Sequence, residues 1–209
     1  MTRIGKATSE GLSRAAEKRL IGRAKRGEQP ALRELIEGHK DRLFAFVMRT
    51  IRNHHDAEEV CQDALLKAFR SLDSFDTKYR FSTWLFTIGY RLCLNLIRRR
   101  KDLTGDVEFT AMVASGGSVV AAAAQSEEAR HLMDVVWSAV DRLSTSQRAT
   151  VVLFYRHELG CAEISQILEV PVATVKSHLH RARARLREIL EPVVAEDFSR
   201  LRILTELAG

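Results

Sequence analysis

Residues 161–187 read CAEISQILEVPVATVKSHLHRARARLR and decide how the C-terminal part of the chain folds. The apolar spacing predicts a short helix over 162–168, and residues 169–171 are typical of a turn. Pro171 suits the first position of a second helix, which continues from Val172 with apolar residues at helical spacing. Two helices joined by so short a turn, the second with a basic outer face, form the DNA-binding helix-turn-helix arrangement.

The outer face of the second helix is polar and basic. Side chains in its first half are placed to reach base edges in the major groove, whereas Arg183, Arg185 and Arg187 are placed for phosphates or solvent. The residues on the outer face are Lys176, Ser177, His180, Arg181 and Ala184. Helical hairpins with basic faces also occur in RNA-binding and purely structural proteins, so the motif by itself leaves those alternatives open.

A further helix precedes this motif. Ser144 and Gln147 have the spacing of a capping box and stand directly before the apolar run at 151–154. This helix is predicted to end at Gly160.

The composition excludes several classes of protein. The 209 residues include 33 Lys and Arg against 27 Asp and Glu, and the net charge of +6 indicates a polyanionic partner. Three prolines and 11 glycines favour long helices over a turn-rich sandwich. No run of 18 apolar residues is present and the N-terminus is polar, so we expect a cytoplasmic protein with no membrane insertion and no signal peptide.

The arrangements of residues typical of catalytic and metal sites are also missing. Three dispersed cysteines predict small buried thiols rather than a disulfide framework or a zinc site. We find no glycine-rich phosphate loop, no metal-ligand cluster and no nucleophile–base arrangement in the sequence. The sequence therefore predicts a protein that is not an enzyme and needs no cofactor.

Basic residues are missing from one internal stretch. Residues 102–128 contain no Lys or Arg, and they surround a Gly-Gly-Ser and Ala-rich middle with carboxylates, which is typical of a flexible acidic linker. A helical segment that ends in a basic run lies on each side. We therefore predict an all-α protein of two small helical domains joined by this linker. The predicted boundaries are an N-terminal extension at 1–13, a first domain at 14–101, the linker at 102–128, a second domain at 129–190 and a tail at 191–209.

The first domain is predicted to contain four helices, of which the third is the most regular. The first helix ends near Gly27, and the second covers about 31–52. The third has apolar residues at i, i+3, i+4 and i+7 from Ala57 to Leu72, with Asp56 at its start as a cap. Its opposite face is acidic and includes Asp56, Glu58, Glu59 and Asp63. A solvated face is the alternative, because such a cluster matters only where a basic surface docks on it.

The fourth helix follows a loop at 73–80 and is predicted to begin near Thr83, with Ser82 as its cap. Arg91, Asn95 and Arg98 share one face because they are spaced i, i+4 and i+7. The aromatic residues near the start of this helix are Phe81, Trp84, Phe86 and Tyr90. Rings that stack on bases, beside cations that hold phosphates, suit single-stranded nucleic acid. The alternative is that the rings belong to the core.

Three segments in order resemble a known family. They are DAEEVCQDALLKAF at 56–69, FSTWL at 81–85, and PVATVKSH at 171–178 followed by RAR at 181–183. They are similar to bacterial RNA polymerase sigma factors of the extracytoplasmic-function (ECF) class, which keeps only the second and fourth sigma domains. The resemblance covers about residues 14–190 and implies that the two predicted domains are sigma domain 2 and sigma domain 4.

The resemblance implies a partner for each surface. The residues implied to dock on the β′ clamp helices of core RNA polymerase are Asp56, Glu58, Glu59 and Asp63. Those implied to capture unpaired bases of the promoter −10 element are Phe86, Tyr90, Arg91, Asn95 and Arg98. Those implied to read the −35 duplex are Thr174, Lys176, Ser177, His180 and Arg181. The resemblance also implies contact with the β flap, a linker along the path of nascent RNA, and an anti-sigma protein as regulator. His178 and His180 depart from the family's usual residues, so a −35 sequence does not transfer.

Two functions follow from these observations. The first is a sigma factor that binds core polymerase and directs promoter-specific initiation. The second is a stand-alone helix-turn-helix repressor or activator whose N-terminal half senses a ligand or dimerises. The acidic face at 56–63 discriminates them, because a polymerase-docking helix needs it and a sensor domain does not. In the tail, apolar residues from Phe198 to Leu207 predict a short amphipathic helix that packs on the second domain or binds a regulator.

Overall fold

The computed structural model describes residues 13–104 and 127–207, with side chains from 13 to 102 and from 131 to 192. Every regular element in these ranges is helical, and the predicted all-α class is confirmed. The helices are α1 (Arg14–Lys25), α2 (Gln29–Ile51), α3 (His54–Arg70), α4 (Phe81–Thr104), α5 (Glu127–Asp141), α6 (Thr145–Val151), α7 (Cys161–Leu168) and α8 (Val172–Leu207). A 3-10 turn at Leu72–Ser74 and a π-helical turn at Val152–Arg156 complete the described elements.

Two helix starts in the N-terminal half, which comprises α1–α4, differ from the prediction. Asn53 caps α3, because its side-chain oxygen accepts a hydrogen bond from the Asp56 amide at 3.0 Å. Asp56 as the cap is therefore wrong, and the helix begins three residues earlier, at His54. Helix α4 begins at Phe81, so Ser82 lies buried inside its first turn and is not its cap.

The helix-turn-helix is confirmed, and the helix before it is shorter than predicted. Ser144 caps α6 as expected, with its hydroxyl oxygen accepting from the Gln147 amide at 3.4 Å. The α-helix ends at Val151 and continues as the π-helical turn instead of reaching Gly160, which is the N-cap of α7. Glu169 then ends α7 in the left-handed region at φ 56°, and this reversal directs the chain into α8.

The apolar core runs through both halves of the chain. Helix α4 packs on α7, and α2 packs on α6 and the π-helical turn. Phe46 and Phe86 of the N-terminal half and Leu153 and Ile164 of the C-terminal half (α5–α8) belong to one buried cluster. The sequence predicts two domains held only by a tether, whereas the described residues of the two halves pack against each other.

Some predicted segments lie outside the described residues. They are most of the N-terminal extension, at 1–12, and the acidic linker between 105 and 126. In the tail, α8 continues to Leu207 with Pro192 inside it, so residues 191–207 extend α8 and do not form a separate short helix. Across the described residues, no helix has both the length and the hydropathy needed to cross a membrane.

Candidate functional site

Helix α3 presents an exposed acidic surface formed by Glu58, Glu59 and Asp63. The apolar face of α3 packs on the core, because Ala57 and Ala64 are fully buried, and this turns the acidic face outward. His54 lies one turn earlier, with its Nδ1 atom 3.6 Å from the Glu58 carboxylate. Three carboxylates on one exposed edge are suited to a basic partner surface.

Asp56 does not belong to this acidic surface. Its side chain is 5% exposed, and its Oδ1 atom accepts a hydrogen bond from the Arg100 guanidinium at 2.5 Å. The pair joins the start of α3 to the C-terminal part of α4. The predicted exposure of Asp56 is therefore wrong, because a basic residue 44 positions away covers it. This arrangement gives Asp56 no open surface for a polymerase contact.

The five residues predicted for the −10 element are divided between the surface and the interior. Arg91, Asn95 and Arg98 are exposed on one face of α4, as the spacing predicts. Phe86 and Tyr90 are only 1% and 4% exposed, so neither ring offers a face on which a base can stack in this arrangement. Burial also raises the pKa of the Tyr90 hydroxyl.

The two rings are buried at a seam, the contact of α2 and α4 with the C-terminal half. The Phe86 ring lies 5.0 Å from the ring of His157 and 5.3 Å from the ring of Phe46. Burial and then the charges of Arg42 and Arg156 lower the pKa of His157 to about 3, so its imidazole is neutral at physiological pH. The centre of the seam is therefore aromatic and uncharged.

Arginines tie the edges of the seam. Arg91 pairs with Glu169 in the turn of the helix-turn-helix, with its Nε atom donating to the carboxylate at 3.1 Å. Arg52 donates to the Asp141 carbonyl at 3.0 Å, and the Arg49 guanidinium lies 4.0 Å above the Trp137 ring. From the C-terminal half, Arg148 of α6 donates to the Thr50 carbonyl of α2 at 3.2 Å. Each of these contacts joins the two halves.

The first half of α8 is open, in contrast to the seam. Val175, Leu179 and Ala182 are buried, and they turn the opposite face of the helix outward. On that face Lys176, His180 and Arg181 are exposed, while Thr174 and Ser177 are partly buried. Partial burial and the nearby charge of Arg181 lower the pKa of His178. The five residues predicted for the −35 duplex thus lie together at the start of one helix.

Sequence reasoning missed two partners of the predicted site residues. The sequence places Glu169 only in a turn, and its pairing with Arg91 joins positions 78 residues apart. Tyr155, which is 56% exposed, accepts a hydrogen bond from the Arg183 Nε atom at 2.9 Å and holds that guanidinium beside α8. No local pattern signals either contact, because each joins residues of two different elements.

The described residues carry little that suggests metal or thiol chemistry. No group of three His, Cys, Asp or Glu among them is arranged to hold a metal ion. Burial raises the pKa of Cys61 to about 12 and raises that of Cys93 further, so both thiols stay protonated at neutral pH.

Comparison with protein families matches both halves of the chain. Residues 35–102 match the Sigma-70 region 2 family, and residues 133–186 match the Sigma-70, region 4 family. The fold and these matches define a helical transcription factor of the sigma-70 type. The chain is 34% identical to the ECF RNA polymerase sigma factor SigW of Bacillus subtilis over 179 residues, covering 83% of this chain and 96% of SigW. The chain belongs to the ECF RNA polymerase sigma factors, and its function is to direct promoter-specific transcription.

Other relatives agree with this placement. The ECF RNA polymerase sigma-E factor of Escherichia coli is 27% identical, over 84% of this chain and 94% of that protein. Two solved structures are similar to this one. CnrH in complex with the cytosolic domain of CnrY has a TM-score of 0.62 and 25% identity, over 85% of this chain and 98% of CnrH. The sigma factor RpoE in complex with the anti-sigma factor NepR, from Bartonella quintana, has a TM-score of 0.64 and 26% identity, over 76% and 96%. A stand-alone repressor or activator is not favoured.

Proposed function

We propose that this chain performs initiation through three surfaces and catalyses no reaction itself. The acidic surface of α3 binds core RNA polymerase, the exposed face of α4 and the loop before it bind unpaired −10 bases, and the start of α8 reads the −35 duplex. The observation that carries the proposal is the distribution of exposed charge. Carboxylates gather on α3, whereas cations gather on α4 and α8, so one protein surface and one nucleic acid can be bound at the same time.

The proposed polymerase contact follows from the exposed charges of α3. Glu58, Glu59 and Asp63 are complementary to a partner of positive charge, and the basic clamp helices of the β′ subunit have that character. Attraction between exposed charges speeds association and is screened by salt. Binding by this surface should therefore weaken as ionic strength rises.

The proposed −10 contact uses exposed side chains of α4. Asn95 can both donate to and accept from a base edge, while Arg91 and Arg98 supply charge for phosphates. Extruding a base from the duplex costs a few kcal/mol, which contacts to the base must offset. Arg91 cannot contact DNA while it pairs with Glu169, so its part in −10 binding requires this exposed pair to open.

The proposed −35 contact is compatible with the structure as it stands. Lys176 and Arg181 project from the first half of α8, where a helix-turn-helix reaches base edges in the major groove. Arg183, held by Tyr155, lies further along and is suited to a phosphate. We assign sigma domain 2 to residues 14–101, the linker to 102–128 and sigma domain 4 to 129–190.

We also propose that an anti-sigma protein regulates this chain. The similar RpoE structure was solved with the anti-sigma factor NepR. The seam supports the idea, because a protein that bridges both halves would hold them together and keep Phe86 and Tyr90 covered.

The proposed polymerase contact is tested by charge reversal. The double variant Glu59→Lys with Asp63→Lys is mixed with purified core polymerase, and association is followed by co-elution and by promoter-dependent transcription. We expect both to be lost, because two cations replace two anions opposite a basic surface.

The matched control is Glu34→Lys with Asp41→Lys, which makes the same change in net charge at exposed positions of α2. The control should bind as the unaltered chain does. Retained binding by the α3 variant, with both proteins folded by circular dichroism, would place the docking surface elsewhere.

A further inference from the structure

The loop between α3 and α4 ends in an exposed tip formed by Lys78, Tyr79 and Arg80. Tyr79 is 56% exposed, so its ring is not explained by core packing. An exposed aromatic ring between two cations is suited to an unpaired nucleotide, because the ring stacks on the base and the cations attract the phosphates. Useful stacking requires that the tip be held in one conformation.

Helix α1 holds the backbone of this loop through two basic side chains. The Lys25 Nζ atom donates to the carbonyl oxygens of Asp73 and Phe75, both at 2.9 Å. Arg14 Nη2, about three turns earlier in α1, donates to the Lys78 carbonyl at 3.0 Å. Both ends of the loop are therefore bonded to the same helix by charged donors, which form stronger hydrogen bonds than neutral ones.

A third side chain of α1 fixes the point where the loop becomes α4. Glu17 is buried, and its Oε2 atom accepts a hydrogen bond from the Phe81 amide at 3.4 Å. Its other oxygen lies 3.1 Å from the His39 Nε2 atom. The first amides of a helix have no intrahelical partner, so a carboxylate there stabilises the helix start. Glu17 thus caps the start of α4 from a different helix.

Aromatic packing anchors the side of the loop that faces the core. The ring of Phe75 lies 4.8 Å from the ring of Trp84 and 5.7 Å from the ring of Phe81. Phe75 and Phe81 are buried at the two sides of the tip. The tip is therefore exposed to solvent, while the rings on either side of it are buried.

We infer that α1 sets the conformation in which the tip at 78–80 meets an unpaired base, with Lys25 and Glu17 as positioning residues. This inference rests on the proposed function, in which α4 and the loop before it bind the −10 element. Neither residue needs to touch DNA: Lys25 is bonded to the loop backbone, and Glu17 is buried.

The experiment uses the full chain assembled with core polymerase. The probe is a promoter duplex whose non-template strand is unpaired and randomised over the six bases of the −10 element. Templates retained by the holoenzyme are sequenced, and base preference is compared among variants. Lys25→Met removes both hydrogen bonds at a partly exposed site, whereas changing the buried Glu17 risks unfolding.

We expect Lys25→Met to lower the enrichment of the preferred bases by about tenfold, the factor expected when a charged donor is lost. Lys25→Arg should restore the preference, because arginine can also donate to two carbonyls. Lys18→Met makes the same change at an exposed position of α1 and should leave the profile unaltered. The amount of holoenzyme formed should be equal in all of them, which separates positioning from a loss of folded protein.

Three other outcomes separate the inference from the function on which it rests. If Tyr79→Ala changes the base profile and Lys25→Met does not, the positioning role of α1 is wrong and the −10 contact stands. If the unaltered holoenzyme shows a base preference that Tyr79→Ala leaves unchanged, the loop does not read this element and the inference fails. If the unaltered holoenzyme shows no base preference, the proposed −10 contact fails as well.

Discussion

The seam side of α4 and the outer face of α8 are both predicted DNA-binding surfaces, and the structure treats them in opposite ways. Phe86 and Tyr90 on α4 are buried against the C-terminal half, while Lys176 and Arg181 on α8 are exposed. A surface that stacks on bases is apolar, so covering it with another apolar surface stabilises the protein. A surface that binds phosphates and base edges is cationic, so covering it costs the hydration of its charges. The chemistry by which each surface binds DNA thus decides whether the fold buries that surface.

The largest expected effect is at the centre of the seam. Phe86→Ala should lower the free energy of unfolding by about 3–5 kcal/mol, because a fully buried ring that contacts both halves leaves a cavity. Arg181→Ala, on the exposed face, should change it by less than about 0.5 kcal/mol. Denaturant titration of the two variants measures the difference. Equal stabilities would mean that the seam does not form in solution.

For promoter binding, the larger effect is expected on the exposed face of α8. Lys176→Ala and Arg181→Ala should each reduce −35-dependent transcription. Each should remove about 1–3 kcal/mol of binding free energy, the range for a contact to a base edge. The measurement is the transcript yield from templates with and without the −35 element. Unchanged yields for both variants would remove the −35 assignment from α8.

Acid should weaken the seam. The pKa of His157 is lowered to about 3 in the folded chain against an ordinary 6.5, so below pH 6.5 the unfolded chain takes up a proton that the folded chain does not. Stability from this group is complete above pH 6.5 and falls by about 1.4 kcal/mol per pH unit between 6.5 and 3. The free energy of unfolding should differ less between pH 7 and pH 5 for His157→Gln than for the unaltered chain. Equal pH dependence of the two proteins would show that the imidazole is not buried at the seam.

The smallest expected effect is at the edge of the seam. Arg91 and Glu169 are 60% and 50% exposed, and an exposed pair contributes only about 0.2–1 kcal/mol. Glu169→Lys should therefore loosen the halves slightly and raise the affinity of the free chain for a single-stranded oligonucleotide a few-fold. Glu188→Lys breaks the exposed Arg185 pair within α8 and serves as the control. An equal rise for both variants would show that added charge, not release of Arg91, is responsible.

Local pattern predicted most of the helices and the order of the surfaces. The periodic apolar residues of α3 and the proline turn before α8 are signals within one or two helical turns, so they need no knowledge of the rest of the fold. The same reasoning was wrong for Asp56, because spacing along α3 groups it with Glu58 and Glu59. Only the approach of Arg100 from α4 covers that carboxylate and separates it from its neighbours.

The exposed acidic surface of α3, the mixed face of α4 and the basic start of α8 could all be named from residue order, because a helix presents its side chains at a known period. Which of these surfaces is open was decided by contacts between positions far apart in the chain, such as Arg91 with Glu169 and Arg42 with the His157 carbonyl, which are 78 and 115 residues apart. Burial depends on what packs against a surface, and that partner is brought there by the tertiary structure alone.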